Sequence, residues 1–531
     1  FRSCSKLCRN TFPEPYGLRV WRYASFHTAD GYFRYMIQNA RTHGKSEEER
    51  KFTAMLKLFD PSSSLPVAER GKAPVAITSF FAGKPLVLDE KVKAGQIDDY
   101  VTPTFYAPNV SWLVQRNGMN SRHSLMVSLN GSEGNHMHAN GISMELYGKG
   151  YVLGPDAGIG KTLYQGLDYL EYYSQFPSHN TVCVDGISSY PVMKSNHSFK
   201  LRALYPATGE RLPYQPISYS EVYFREPETF ADQTRLNGIV NVGDSAGYYI
   251  DIFRSRKVEG GDKMHDYFYH NLGQQMTLTA ADGSELGLQP TQELAFAGAH
   301  LYAYSYIYNK KRAVTSEDVK AGFTIQMPDK DDITMNLWMK GDEGREIFSA
   351  LSPMTEGLSR IKNMPYSIKD QPTLTFVARQ KGEAWNRPFV AVYEPSTVKE
   401  PSCIASVDYP QVKSEQQGSH VGIRVALTNG NVDWILSSDE NAHHCKLEKL
   451  QARAGYALCR QSEKGETLQT FLGNGTQLEA DGVSIRTDAP ADVLLLKQDG
   501  KWMYTATAPC QIVVGKKKYT LSVSKELRLL K

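Results

Sequence analysis

The chain has 531 residues, enough for two or three domains, and its 41% hydrophobic and 22% charged content is ordinary for a globular protein. With 60 basic against 57 acidic residues the net charge is +3, which excludes a global field strong enough to gather nucleic acid; an anionic partner would need a local basic patch. No run of about eighteen apolar residues occurs, so no membrane span is expected, and seven scattered cysteines without a C-x-x-C pair argue against a thiolate zinc site or a disulfide scaffold.

The chain begins with Phe1 and shows no basic start followed by an apolar run, so a processed or truncated product is expected. Helical periodicity lies early. GYFRYMIQNARTHGKS places Tyr32, Phe33, Met36 and Ile37 near one face, and EEERKFTAMLKLFDP gathers Phe52, Met55, Leu56 and Leu58 behind an acidic first turn that suits the helix dipole. PSSSLPVAERGKAP reads as a linker. From Val75 the period becomes two: VAITSFF, KPLVLDE, SWLVQR, HSLMVSL, ISMELYG and KGYVLG are short runs broken by Gly, Asn or Pro, a pattern of antiparallel strands.

The stretch Asn135 to Gly186 carries the chemistry. In NHMHANG, His136 and His138 are two apart and would share one face if the pair lies on a strand. YVLGPDAGIG then places Asp156 in a Pro/Gly turn, and FPSHNTVCVDG places His179 before another β-prone run. Two imidazoles and a carboxylate suit a zinc-like ion. GPDAGIGKT imitates a phosphate-binding loop, but Pro155 stands where its first glycine is needed and offers no backbone N–H, so nucleotide binding is not expected and Lys161 reads as a solvated charge.

The succession H-x-H-x-N-G, G-P-D-x-G, then S-H-N-T-V-x-V-D-G resembles the heparinase II/III-like polysaccharide lyases and their alginate-lyase relatives. The resemblance implies an (α/α) toroid followed by large antiparallel β-sandwich layers, and cleavage of uronate-containing chains by β-elimination. It implies that His136 is catalytic and that His138, Asp156 and His179 hold a structural zinc. A tyrosine shares the proton transfer; Tyr164, close behind the Asp-containing turn, is the first choice, with Tyr172 and Tyr173 as competitors. The family often has Asp after the H-x-H where this chain has Asn140, which removes a supporting carboxylate. Arg116 and Arg122 are available to neutralise a substrate carboxylate, although a sheet or surface role is the simpler reading. The partner implied is an acidic polysaccharide or oligosaccharide; oligomeric state is left open. The location implied is periplasmic or secreted.

Only 135 residues precede His136, so most of a toroid is expected to be missing from this chain. Beyond the site, TVCVDG, GYYIDIFRS and MHDYFYHN continue the strand pattern, the last read as a sheet with one polar face. GFTIQMP, ITMNLWM, TLTFVARQ, PFVAVYEP, HVGIRVAL, VDWILSS, DVLLLKQ and WMYTATA extend it, with Asn429-Gly430 and Asp499-Gly500 as hairpin turns. His443 and His444 beside Cys445 read as a polar loop, since adjacent side chains on a strand diverge. The architecture expected is mainly β: a helical segment, the end of a toroid, with linker at 1–72, a central antiparallel β-sandwich carrying the site at 73–370, and a C-terminal β-sandwich at 371–531. A zinc hydrolase and a non-catalytic carbohydrate-binding protein are the competing classes; the first predicts products without an unsaturated uronate, the second glycan binding indifferent to His136.

Overall fold

The computed structural model describes residues 33–59, 86–95, 102–117, 123–135, 138–158, 167–188, 194–210, 216–295, 302–328, 330–355 and 371–531. Among them helix is confined to 33–42, Ser46–Phe59 and a few short turns; the other regular structure is antiparallel sheet. The two helices form a hairpin because Ile37 and Leu56 bury against Leu88, with Phe33 and Phe52 at the rim. Glu47, Glu48 and Glu49 open the second helix and Lys57 closes it, its ammonium donating to Asp89 O and Val92 O, both at 2.7 Å. The alternation in KPLVLDE suggests a strand, yet residues 86–88 form none: Leu88 is taken up by the helices. VAITSFF lies outside the described residues.

A five-stranded sheet runs Thr104–Ala107, Trp112–Arg116, Met126–Asn130, Ser143–Gly148, Tyr151–Gly154 in chain order. An eight-stranded sheet has Ala246–Lys257 at its middle, flanked by Ala231–Val242 and Ala384–Thr397. A six-stranded sheet includes Val182–Val184, Met264–Asn271 and Thr373–Lys381, and a twelve-stranded sheet is built from Ile404 to Leu529. Pairing therefore passes from the central sheets to the C-terminal sheet between Thr397 and Ile404, not at 370/371. TLTFVARQ and PFVAVYEP, read as the start of a C-terminal layer, hydrogen-bond within the central sheets instead.

The eight-stranded sheet is covered on both faces, and period-two alternation shows how. Along Ala246–Lys257, Tyr249 and Phe253 enter a core shared with Leu129, Met144, Tyr269 and Phe376 of the neighbouring sheets. Tyr248, Ile250 and Ile252 face the opposite way, into a core with Ile423, Ile435, Leu458 and Phe471 of the twelve-stranded sheet. Buried phenols find partners: Tyr249 Oη accepts from Met126 N at 2.7 Å, and Tyr248 Oη donates to Asp433 Oδ2 at 2.6 Å. The reading of MHDYFYHN is corrected too: in the six-stranded sheet, Tyr267 and Tyr269 enter the first of these cores and Phe268 enters another with Tyr172, Tyr304 and Phe348. No face of that strand is solvated, and His265 through Asn271 are all buried. The described cysteines, Cys183, Cys403, Cys445, Cys459 and Cys510, are free thiols; all but Cys403 are fully buried.

Candidate metal centre

Three separated segments converge at one end of the five-stranded sheet. The hairpin of Ser143–Gly148 and Tyr151–Gly154 delivers Asp156 into a turn in which Gly158 N donates to Asp156 Oδ1 at 2.9 Å. The short 3-10 turn Phe176–Ser178 sets down His179, which is fully buried. His138 follows the strand Ser132–Asn135, which pairs with Lys194–His197. The described strand is Ser132–Asn135 and residues 138–140 are irregular; His136, expected to share a strand face with His138, lies outside the described residues. Two bonds pin that irregular segment, Ser132 Oγ to His138 O at 2.6 Å and Ala139 N to Ser174 O at 3.0 Å.

One donor atom from each of His138, Asp156 and His179 lies within 4.8 Å of the others. His179 Nδ1 is 2.8 Å from Asp156 Oδ2, and the two imidazole rings are 5.5 Å apart. His179 Nε2 is buried without a hydrogen-bond partner, an expensive state for an imidazole nitrogen that an ion would relieve. Burial, reinforced by His179, lowers the His138 pKa to about 4 against the pull of Asp156, so at neutral pH the ring is in its ligating, uncharged form. Burial alone would raise the Asp156 carboxyl; the charge and hydrogen bond of His179 overrule it and hold the group well below the usual range. Two nitrogens and an ionised oxygen are a donor set that fits zinc.

Residues with no spacing signal hold this arrangement. Asn180 Nδ2 donates to Met144 O at 2.9 Å and Pro155 O at 3.3 Å, and Asn180 Oδ1 accepts from His270 N at 2.6 Å, so one amide ties the segments bearing Asp156 and His179 to the six-stranded sheet. Burial, with His179 next in effect, lowers the His270 pKa to about 3. Tyr169 meets the His138 ring edge-on at 5.4 Å. Arg235, fully buried, donates at 2.6 Å to both Ile142 O and Asn180 O and pairs with Asp251 through two bonds of 2.8 and 2.7 Å. Gly141, the last residue of NHMHANG, has φ +59°, and a Cβ there would stand 2.6 Å from the Phe176 ring; only glycine lets the two loops meet.

His136 and Tyr164 lie outside the described residues, as do Arg122 and Lys161. Tyr172 and Tyr173 belong to a single π-helical turn, Tyr169–Tyr173, and point inward. Tyr173 Oη donates to Met354 O at 2.8 Å, and burial pushes the Tyr172 phenol far up. Arg116 is buried at the end of its strand, its Nε reaching Thr102 O at 3.4 Å.

Beside the triad, the His197 ring stacks on Phe176 at 5.2 Å and its Nε2 lies 3.3 Å from Glu228 Oε2. Burial first, then the neighbouring Glu228, raises the Glu226 pKa from 4.5 to about 8. The folded chain thus keeps a proton that the unfolded chain releases above pH 4.5, so this group's contribution to stability is complete below 4.5 and is lost as pH rises towards 8. Urea midpoints measured across that window should fall with pH in the wild type and fall less steeply in Glu226→Gln; parallel slopes would remove Glu226 from the account.

No family model matches the chain. An endo-acting ulvan lyase of Formosa agariphila is 26% identical over 486 residues, which cover 86% of this chain and 57% of that protein. The chain therefore spans little more than half the length of the curated relative it matches, and in sequence it is polysaccharide-lyase-like. Among solved structures, a heparinase III aligns over 64% of this chain and 42% of its own, with TM-score 0.36 and 10% identity. A heparan sulfate lyase of Pedobacter heparinus aligns over 75% and 46%, with TM-score 0.34 and 11% identity.

Proposed function

We propose that the chain is the β-rich part of a polysaccharide lyase, acting outside the cytoplasm on a uronate-containing glycan by β-elimination. The observation that carries this reading is the convergence of His138, Asp156 and His179 on one point, in a chain that is similar in sequence to an ulvan lyase. That relative makes ulvan the first substrate to try.

Elimination requires three acts: neutralising the uronate carboxylate, taking the proton at carbon 5, and protonating the oxygen leaving carbon 4. His136 takes the carbon 5 proton, and Tyr164, whose phenol ordinarily keeps its proton at neutral pH, gives one to the leaving oxygen. The first assignment rests on the H-x-H motif, whose second histidine, His138, stands beside Asp156 and His179. A zinc ion held by His138, Asp156 and His179 would supply a structural cross-link between three loops rather than contact with the sugar.

The test is to incubate the full chain with ulvan, heparan sulfate, chondroitin sulfate and alginate while following ultraviolet absorbance of the unsaturated uronate. Absorbance should grow with at least one glycan, and Tyr164→Phe and His136→Ala should each slow it by about 10²- to 10⁴-fold. Full rate in Tyr164→Phe removes the tyrosine from its role. Glycan binding without any absorbance change, equal in His136→Ala, would make the chain a binding protein.

A further inference from the structure

We propose that His420, Asp439 and His443 form a second divalent-cation site, of the zinc and cobalt class, at the seam between the eight-stranded and twelve-stranded sheets. His420 opens the strand His420–Leu427 and stands opposite Ser438, the last residue of Val432–Ser438, so Asp439 follows directly beside it. The chain then turns, His443 N donating to Glu440 O at 3.1 Å, and brings the His443 ring back over His420. One donor atom from each of the three lies within 4.8 Å of the others.

The geometry is that of ligands around one ion. His420 Nε2 and His443 Nδ1 are 3.2 Å apart with rings inclined at 65°. Two imidazole nitrogens bound at about 2.0–2.1 Å to a tetrahedral ion stand about 3.3 Å from each other. The carboxylate is oriented from behind: Asp439 Oδ2 accepts from Trp385 Nε1 at 2.7 Å and Oδ1 from Ser419 N at 2.9 Å, which fixes the group while leaving lone pairs for a cation. Gly418 completes the cradle. A Cβ there would stand 2.8 Å from Asp439 Oδ1 and 3.0 Å from His443 Nδ1, so any other residue would crowd two of the three donors.

Placement gives the site a task. Trp385 belongs to the eight-stranded sheet, whereas His420 lies on a strand of the twelve-stranded sheet and Asp439 and His443 in the turn after Val432–Ser438, so an ion held here would fix the carboxylate through which the Trp385 hydrogen bond joins the two layers. Directly beneath, the buried Arg254 of the eight-stranded sheet donates to Ser419 Oγ at 2.8 Å and Ser437 Oγ at 3.1 Å. His444 takes no part: it begins the strand His444–Leu447 and pairs with Arg453.

The competing explanation of the short nitrogen–nitrogen distance is a plain N–H···N bond between the rings, and cobalt separates the two. The full chain, stripped with chelator, is titrated with Co²⁺ while the visible absorption of tetrahedral cobalt and the quenching of tryptophan fluorescence are read. His443→Ala should bind one equivalent fewer than wild type and lose the quenching, whereas His179→Ala should keep the quenching. Trp385→Phe, which retains every ligand and removes only the indole donor, should weaken this cobalt site about 10- to 100-fold. If His443→Ala binds as many equivalents as wild type, or Trp385→Phe binds at unchanged affinity, the site does not exist. The result is independent of the triad at His138, because His179→Ala reports on that one separately.

Discussion

Arg235→Met is expected to lower the unfolding free energy by about 3–5 kcal/mol, the range for removing one partner of a fully buried ion pair. The substitution keeps much of the side-chain volume, so the loss measures charge and hydrogen bonds rather than a cavity. Asp251 would be left in the core with Tyr267 Oη and Asn237 Nδ2 as donors, at 2.6 and 2.9 Å, and no cation. Ile142 O and Asn180 O would lose the guanidinium that holds them at 2.6 Å. Those two carbonyls belong to the segments that carry Gly141 and His179, so the variant should also bind zinc more weakly. Urea denaturation and a zinc titration of the same preparation check both parts. A loss under about 1 kcal/mol would mean that water or rearranged side chains satisfy Asp251, and the network would not be the foundation of the site.

Removal of the ion should be felt nearly as strongly. With free zinc about a hundredfold above its dissociation constant, a site present only in the folded chain adds about 2.7 kcal/mol. Thermal unfolding of the full chain should therefore move up in Tm on adding zinc to a chelator-stripped sample, and His179→Ala should lose the share of that shift belonging to the triad. His179 is the residue to choose because its Nε2 is buried without another partner and its Nδ1 already meets Asp156. An identical zinc-dependent shift in wild type and His179→Ala would show that the triad holds no ion.

Much of the local structure was legible in the sequence for physical reasons. Asn429-Gly430 and Asp499-Gly500 do join consecutive antiparallel strands, and Asp499 and Gly500 both adopt positive φ, as a tight hairpin requires. His138, Asp156 and His179 could be picked out through the succession of motifs that carries the lyase resemblance, which implies them as a ligand set. What the sequence hid is long-range. Arg235 reads as one cation in a polar strand, and nothing nearby announces that its partners are Ile142, Asn180 and Asp251. The same holds for His443, read as loop beside His444. It is indeed in a turn, but its significance comes from His420, which a strand, a hairpin turn and a second strand separate from it. The sheet boundary was misplaced because alternating runs look alike whichever sheet recruits them.

The burial of the thiols bears on how this protein fails. Burial raises the pKa of Cys183, Cys403, Cys445, Cys459 and Cys510 alike, so in the folded chain they stay protonated and inert towards oxidants. Unfolding restores ordinary thiol reactivity, and in oxidising surroundings a chain that stays unfolded would form non-native disulfides. Heat inactivation would then be one-way unless a reductant is present, and the working lifetime would be set by the rate of opening rather than by an equilibrium.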